Sequence, residues 1–165
     1  MIEPAEAACR RAVEINDEIL NQDPAAIDQQ VNLAASLSSL GSVLRDAGRS
    51  VDAEAACRRA VDVREKLVQR QENSEYIDGL AASVTVLGTV LHQAGQSAQA
   101  EEAFRRAVTL RDKLVAEHEG HATYNLGLAS SLTSLAALLV LRAIPNCFIL
   151  KQTWLRVQAG VKPRM

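Results

Sequence analysis

Aromatic residues are scarce in this chain. They make up 3% of its 165 residues, while 48% of the residues are hydrophobic, so alanine, leucine and valine supply most of the apolar volume. Small apolar side chains suit closely packed helices better than the bulky core of a globular domain. No stretch alternates apolar and polar residues for long, which argues against β-strands. The composition therefore predicts an all-α protein.

Cysteine and excess charge are also sparse. Three cysteines are too few for a disulfide framework, and Cys9 and Cys57 occupy the same position of a repeated phrase, which predicts a small packing residue. The net charge of −2 predicts no polyanionic partner. The opening Met1–Pro4 does not resemble a secretion signal. We expect a cytoplasmic protein.

The ingredients of an active site are missing as well. No phosphate-binding loop, no nucleophile beside a base and no converging pair of carboxylates occurs. The string HEGH at His118–His121 lacks the spacing that puts two zinc-binding histidines on one helical face, and Gly120 should break the helix between them. We predict no catalytic residue, no metal site and no cofactor.

What the chain does contain is a repeat. It reads AEAACRRAVE from Ala5, AEAACRRAVD from Ala53 and AEEAFRRAVTL from Ala100, so equivalent positions lie 48 and then 47 residues apart. A second phrase recurs between these copies, as LAASLSSLGSVLRDAGR, LAASVTVLGTVLHQAGQ and LASSLTSLAALLVLRA, beginning at Leu33, Leu80 and Leu128. An array of short units predicts a solenoid, which is typically a binding surface rather than a catalyst.

Both phrases place apolar residues three and four positions apart, as on one face of a helix. Six helices are predicted, at about residues 4–22, 24–47, 50–72, 74–94, 97–119 and 121–143. Residues typical of helix boundaries support these bounds. They are the helix-ending glycines Gly48, Gly95 and Gly120, the N-cap candidates Ser50 and Ser97, and Asp23-Pro24 as cap and first turn.

The two phrases together resemble the tetratricopeptide repeat. That family pairs two antiparallel helices. The first-type helix carries large apolar residues around a leucine-glycine pair and ends at a glycine, and the second-type helix carries spaced small residues. One unit has Leu37, Leu40, Gly41, Leu44, Gly48, Ala53, Cys57 and Ala60 at these places, and the next has Val84, Leu87, Gly88, Leu91, Gly95, Ala100, Phe104 and Ala107.

The resemblance implies a right-handed superhelical solenoid of antiparallel helix pairs. Glycine in mid-helix is unfavourable by about 1 kcal/mol, so Gly41 and Gly88 predict close approach of the second-type helix, at Ala53/Ala60 and Ala100/Ala107. The unit is longer than the family's basic one. This is similar to the long-helix variant of kinesin light chains and of bacterial multi-repeat signalling proteins.

The repeat register divides the chain into an array at 1–143 and a tail at 144–165. The array has an unpaired second-type helix at 4–22, pairs at 24–72 and 74–119, and an unpaired first-type helix at 121–143, which suggests a window from a longer array. We expect the apolar run Leu126–Leu141 to be a buried helix, too short to span a bilayer. Unpaired solenoid ends associate, so a homo-oligomer through the terminal helices is also predicted.

The tail departs from the repeat. It carries Lys151, Arg156, Lys162 and Arg164 without an acidic residue, which leaves the rest of the chain at −6. It could be a capping helix over the last apolar face or an out-of-register end. A basic contact with a membrane or nucleic acid is a weaker alternative, because four cations and one tryptophan make a small footprint.

Arginine pairs recur at Arg10-Arg11, Arg58-Arg59 and Arg105-Arg106. Each first arginine follows a glutamate by four positions, which supports an exposed helix by a few tenths of a kcal/mol. A solvated outer face therefore explains these pairs.

By the resemblance, the ligand-facing positions lie on the first-type helices. They are Ser38, Ser39, Ser42, Arg45 and Asp46, then Thr85, Val86, Thr89, His92 and Gln93, then Thr133, Ser134 and Ala137. His92 could be a ligand contact or a plain surface residue. Chaperone-binding members of the family use cationic and amide side chains here to clamp a carboxylate, and this chain has hydroxyls, so we expect that activity to be absent.

These observations predict a scaffold for protein–protein interaction that binds a peptide or partner protein on the inner face of the array. The partner is expected to be neither nucleic acid nor membrane. Two alternatives stay open: an enzyme or sensor accessory domain with a site that the sequence does not reveal, or a fragment of a larger signalling protein with no independent role.

Overall fold

The computed structural model describes residues 2–143, which form six helices and no strand. The predicted tail at 144–165, with its possible capping helix, lies outside the described residues. The helices are α1 (Ile2–Gln22), α2 (Ile27–Asp46), α3 (Ser50–Arg70), α4 (Ser74–Gln93), α5 (Ser97–Glu117) and α6 (Ala122–Ala143). The prediction of an all-α array of helix pairs is confirmed.

The turns inside the helix pairs follow from glycine. Gly48 and Gly95 have φ of 76° and 79°, in the left-handed region that glycine adopts without strain. The N–H of Arg49 donates to the Leu44 carbonyl and that of Gln96 to the Leu91 carbonyl, each at 2.9 Å. These bonds close the first-type helix in a Schellman motif, so a three-residue turn returns the chain antiparallel to itself.

Two details of the predicted helix starts are wrong. Ser50 and Ser97 are the first helical residues rather than N-caps, and the N-cap positions are Arg49 and Gln96, whose side chains make no capping bond. The Schellman motif fixes these starts through backbone bonds. Asp23 does not begin α2 either: its Oδ1 accepts the Ala25 N–H at 3.0 Å within the turn, and α2 begins at Ile27.

Each helix packs against the next, and the first-type helices α2, α4 and α6 also touch in series. The pairing of α2 with α3 and of α4 with α5 depends on Gly41 and Gly88. A Cβ at Gly41 would overlap Cys57 Sγ, and one at Gly88 would lie 2.7 Å from the Phe104 ring. The close approach predicted from the sequence is therefore present, with Cys57 and Phe104 as the nearest side chains.

The prediction that the run Leu126–Leu141 is buried is wrong. Helix α6 buries Tyr124, Ser131 and Leu138, while Leu132, Leu139 and Leu141 are 46%, 37% and 54% exposed. The reason is that no second-type helix follows α6 among the described residues, so the face that α2 and α4 bury against such a helix is open. Among residues 2–143, α6 alone is long and apolar enough to cross a membrane by length and composition.

Candidate partner-binding groove

The candidate groove is the set of positions on α2, α4 and α6 that the sequence predicts to face a ligand. Of its ten main positions, Ser39, Gln93 and Thr133 are exposed and the others are half-buried. The half-buried positions are Ser38, Ser42 and Arg45 on α2, Thr85, Thr89 and His92 on α4, and Ser134 on α6. The array thus brings side chains from three repeats, far apart in sequence, onto neighbouring helices.

Most hydroxyls of the groove donate to their own helix. The acceptor is the carbonyl four residues earlier, and the bonds are Ser42 to Ser38 (3.2 Å), Thr85 to Ala81 (2.8 Å), Thr89 to Thr85 (3.0 Å), Thr133 to Ala129 (2.8 Å) and Ser134 to Ser130 (3.1 Å). A hydroxyl has one donor and two acceptor lone pairs. Because the donors are already used, these side chains present mainly acceptors to a ligand.

Two hydroxyl pairs join the first-type helices to one another. Ser38 lies 3.1 Å from Ser83, and Thr85 lies 3.5 Å from Ser131. Ser83 and Ser131 are 2% and 0% exposed, so these contacts are part of the helix packing. Ser38 and Thr85 therefore combine a structural role with their place in the groove, whereas Ser39 has neither contact.

The charged groups of the groove are few. Arg45 donates to the carboxylate of Asp46 from Nε at 2.9 Å and from Nη2 at 2.8 Å, so its charge is already paired. His92 has its Nδ1 buried with no hydrogen-bond partner in the described part of the chain, which leaves Nε2 as the nitrogen that a ligand can reach. The groove is close to neutral.

A buried arginine behind the groove was not predicted. Arg111 is 7% exposed, and its Nε donates to Asp78 at 2.9 Å. Its Nη1 donates to the Gly127 carbonyl at 3.0 Å and to Ser131 Oγ at 2.7 Å. The side chain therefore ties α5 to α4 and to α6.

The packing of an arginine on a glycine recurs one repeat earlier. The Arg64 guanidinium lies against Gly79 as that of Arg111 lies against Gly127, and a Cβ on either glycine would collide with the arginine. Burial lowers the pKa of Arg64, and the charge of Asp78 opposes that shift. The sequence does hold a clue, because both the arginines and the glycines recur at the repeat spacing. These residues lie outside the two repeated phrases, which is why the contact between arginine and glycine was not predicted.

The outer face carries two kinds of arginine. The first of each pair binds the glutamate four residues earlier, as predicted: Arg10 with Glu6 at 2.9 Å, Arg58 with Glu54 at 2.8 Å and Arg105 with Glu101 at 2.9 Å. Hydrogen bonds from these arginines are the main reason that the pKa of each of the three carboxyls lies below its usual value.

The second arginine of each pair has another role. Arg59 binds Asp17 of α1, and Arg106 binds Glu65 of α3, so these side chains connect successive second-type helices. Within residues 2–143, the ion pairs of Arg11, the equivalent residue of α1, are with Glu14 and Glu18 of its own helix.

Cys57, His118 and His121 make contacts that belong to the packing of the array. Cys57 is 0% exposed, and burial raises the pKa of its thiol to about 11, so it stays protonated near neutral pH. His118 Nε2 lies 2.7 Å from Ser74 Oγ, and His121 stacks on Tyr124 with 4.1 Å between ring centroids.

A cleft of about 480 Å³ lies between α1, α2 and α3, away from the groove. Leu20, Leu33 and Val63 contribute its apolar lining, and Lys66 and Arg70 its cations. One repeat later Lys113 binds Glu72 at 2.7 Å, but Pro24 stands at the position equivalent to Glu72. Lys66, the equivalent of Lys113, therefore has no such partner in the first unit.

The fold and the recurring contacts define a helical-repeat array. Residues 33–72 and residues 81–113 each match a family model described as tetratricopeptide repeat. The first match covers α3 and most of α2, and the second covers most of α4 and α5. These two matches support a tetratricopeptide-repeat array, as the sequence resemblance predicted. No curated protein matches it.

Proposed function

We propose that this chain is a non-enzymatic scaffold that holds a peptide or partner protein in the groove along α2, α4 and α6. Tetratricopeptide repeats generally mediate protein–protein interaction, and proteins built from them are typically non-enzymatic. The particular groove, the kind of ligand and a location in the cytoplasm belong to the proposal.

The main support for this proposal is the direction of the hydrogen bonds that the groove hydroxyls make. Ser42, Thr89 and Thr133 donate to their own helices and keep acceptor lone pairs free. A ligand that supplies N–H groups, such as an extended backbone or amide side chains, complements this surface. A ligand carboxylate would find no unpaired cation among the described groove residues, because Arg45 is bound to Asp46.

The test begins with a linear peptide selected from a random displayed library on the intact chain, and titrates it by fluorescence anisotropy. Thr89→Val keeps the shape of the side chain and removes the acceptor. One hydrogen bond is worth about 0.5–1.5 kcal/mol, so binding should weaken by about 2-fold to 13-fold. Arg58→Ala on the outer face is the control and should leave the affinity unchanged.

The salt dependence of the affinity distinguishes binding in the groove from binding by the outer-face arginines. A neutral contact should lose little affinity between about 0.05 and 0.5 M salt, because no ion pair is being screened. A steep loss with salt, together with an effect of Arg58→Ala and none of Thr89→Val, would place the binding on the outer face and refute the proposal.

A further inference from the structure

The two ends of the described array are complementary halves of one repeat. Among residues 2–143, no first-type helix packs before α1, which is a second-type helix, and no second-type helix packs after α6, which is a first-type helix. We propose that α6 of one copy takes α1 of a second copy as its missing partner, so that chains stack head to tail and continue the array.

The first support is the apolar face of α6. Ala129, Leu132, Ala136 and Leu139 correspond by repeat register to Ala81, Val84, Gly88 and Leu91. The α4 residues are all buried, and Ala81, Val84 and Leu91 are 0%, 1% and 2% exposed. On α6 the four equivalents are exposed. The open surface is therefore the one that α4 buries against its second-type helix.

The face that would cover it lies on α1. Ala5, Cys9, Ala12 and Ile19 correspond to Ala53, Cys57, Ala60 and Leu67, which α3 buries at 0% or 1% exposure. Ala5 is exposed, Cys9 and Ala12 are half-buried, and Ile19 is 37% exposed. Gly41 packs on Cys57 inside the array, so the equivalent pair across the joint is Ala136 with Cys9. Ala136 has the Cβ that Gly41 lacks, so at the joint the Cys9 side chain must adopt another rotamer or the two helices must lie slightly farther apart.

The second support is a pair of oppositely charged side chains, one on each copy, at the proposed joint. Within the array, Arg59 binds Asp17 and Arg106 binds Glu65 of the preceding second-type helix. The next pair in this series is Arg11 of one copy with Asp112 of the other. Asp112 is exposed and has no ion-pair partner among residues 2–143.

The third support is the row of hydroxyl pairs between first-type helices. Ser38 meets Ser83, and Thr85 meets Ser131. Continued by one repeat, the series pairs Thr133 of one copy with Ser36 of the next. Ser36 makes no side-chain hydrogen bond among the described residues. The ion pair of Lys113 with Glu72 has no counterpart at the joint, because Glu18 occupies the position equivalent to Lys113.

The sequence favours a second copy over the chain's own tail as the occupant. Continuing the register by 48 positions places Phe148, Gln152 and Leu155 where α5 has Ala100, Phe104 and Ala107. The alanines at the two outer positions are 0% exposed, so large residues there would not fit the same contact. Helix α1 has small residues at all three places.

A head-to-tail joint is heterologous, which predicts open chains rather than closed dimers unless the rotation closes a ring. In sedimentation or light scattering, the mass of the intact protein should rise continuously with concentration. A monomer at all concentrations would overturn the proposal, and so would a plateau at two copies.

Two substitutions on α6 locate the joint. Leu139→Arg puts a charge at a position that is buried in complete units, and association should weaken at least about tenfold. Leu141→Arg is the control, because its equivalents Asp46 and Gln93 are exposed inside the array. Equal effects of the two would overturn the proposal, as would binding of wild-type chain to neutral phosphatidylcholine vesicles in place of self-association.

A charge swap tests the register independently of apolar burial. Arg11→Glu and Asp112→Arg each create like charges at the joint, so each variant alone should associate about threefold to tenfold less. In a mixture, every joint between one variant and the other pairs opposite charges, so association should recover through alternating copies. No recovery in the mixture would refute the proposed register.

Discussion

The interior pairs and the terminal helices carry the same repeated phrases but differ in burial. Leu91 of α4 is 2% exposed, while Leu139, at the same register position of α6, is 37% exposed. Ala60 of α3 is 0% exposed, while Ala12 of α1 is half-buried. The local sequence therefore determines which face of a helix is able to pack, and the neighbouring helix determines whether that face is covered.

The largest expected contrast comes from deleting the same leucine in both regions. Leu91→Ala leaves a cavity in a packed core and should lower the free energy of unfolding by about 2–5 kcal/mol. Leu139→Ala should cost under about 1 kcal/mol, because that side chain is already in part solvated. Urea melts at a protein concentration where light scattering gives the mass of a monomer make the comparison. Similar losses would mean that α6 is covered in solution.

Enlarging a small residue should give the next contrast. Gly88→Leu drives a side chain into the Phe104 ring, and we expect a loss of about 1–3 kcal/mol in spite of the gain in helix propensity. Ala136→Leu, the equivalent change on α6, should be tolerated in the dilute monomer. The same melts check this pair, and tolerance of Gly88→Leu would place the tight helix contact elsewhere.

The smallest contrast concerns arginines. Arg111→Ala removes the bonds to Asp78, Gly127 and Ser131, and leaves a carboxylate that is only partly solvated. We expect a loss of roughly 1–2 kcal/mol. Arg58→Ala, on the exposed face, should cost under about 0.5 kcal/mol. Thermal melts of the two variants would contradict this reading if Arg58→Ala were the more damaging.

Helix bounds and the tight helix pairs were predictable because they depend on local patterns. The spacing of apolar residues predicted six helices, and the mid-helix Gly41 and Gly88 predicted a close neighbour. The N-caps were not predictable, since backbone bonds around Gly48 and Gly95 place them one residue before Ser50 and Ser97, at Arg49 and Gln96. Side-chain preference alone does not include those bonds.

The candidate groove was predictable only as a set of positions. That Ser42 and Thr89 face the same surface follows from register, but the direction of their hydrogen bonds does not, because a rotamer decides it. The pairing of Arg45 with Asp46 depends on the rotamers of two successive residues. The burial of Arg111 depends on distances between side chains of different helices. The exposure of α6 was mispredicted because an apolar run says nothing about what covers it.

Hydrogen exchange followed by mass spectrometry tests most directly whether the neighbouring helix determines burial, with α1, α4 and α6 compared in the intact chain at low and high protein concentration. We expect α4 to exchange slowly at both concentrations, and α1 and α6 to exchange fast when dilute and slowly when concentrated. Slow exchange of α6 in the dilute protein, equal to that of α4, would contradict the account, as would fast exchange of α6 at every concentration.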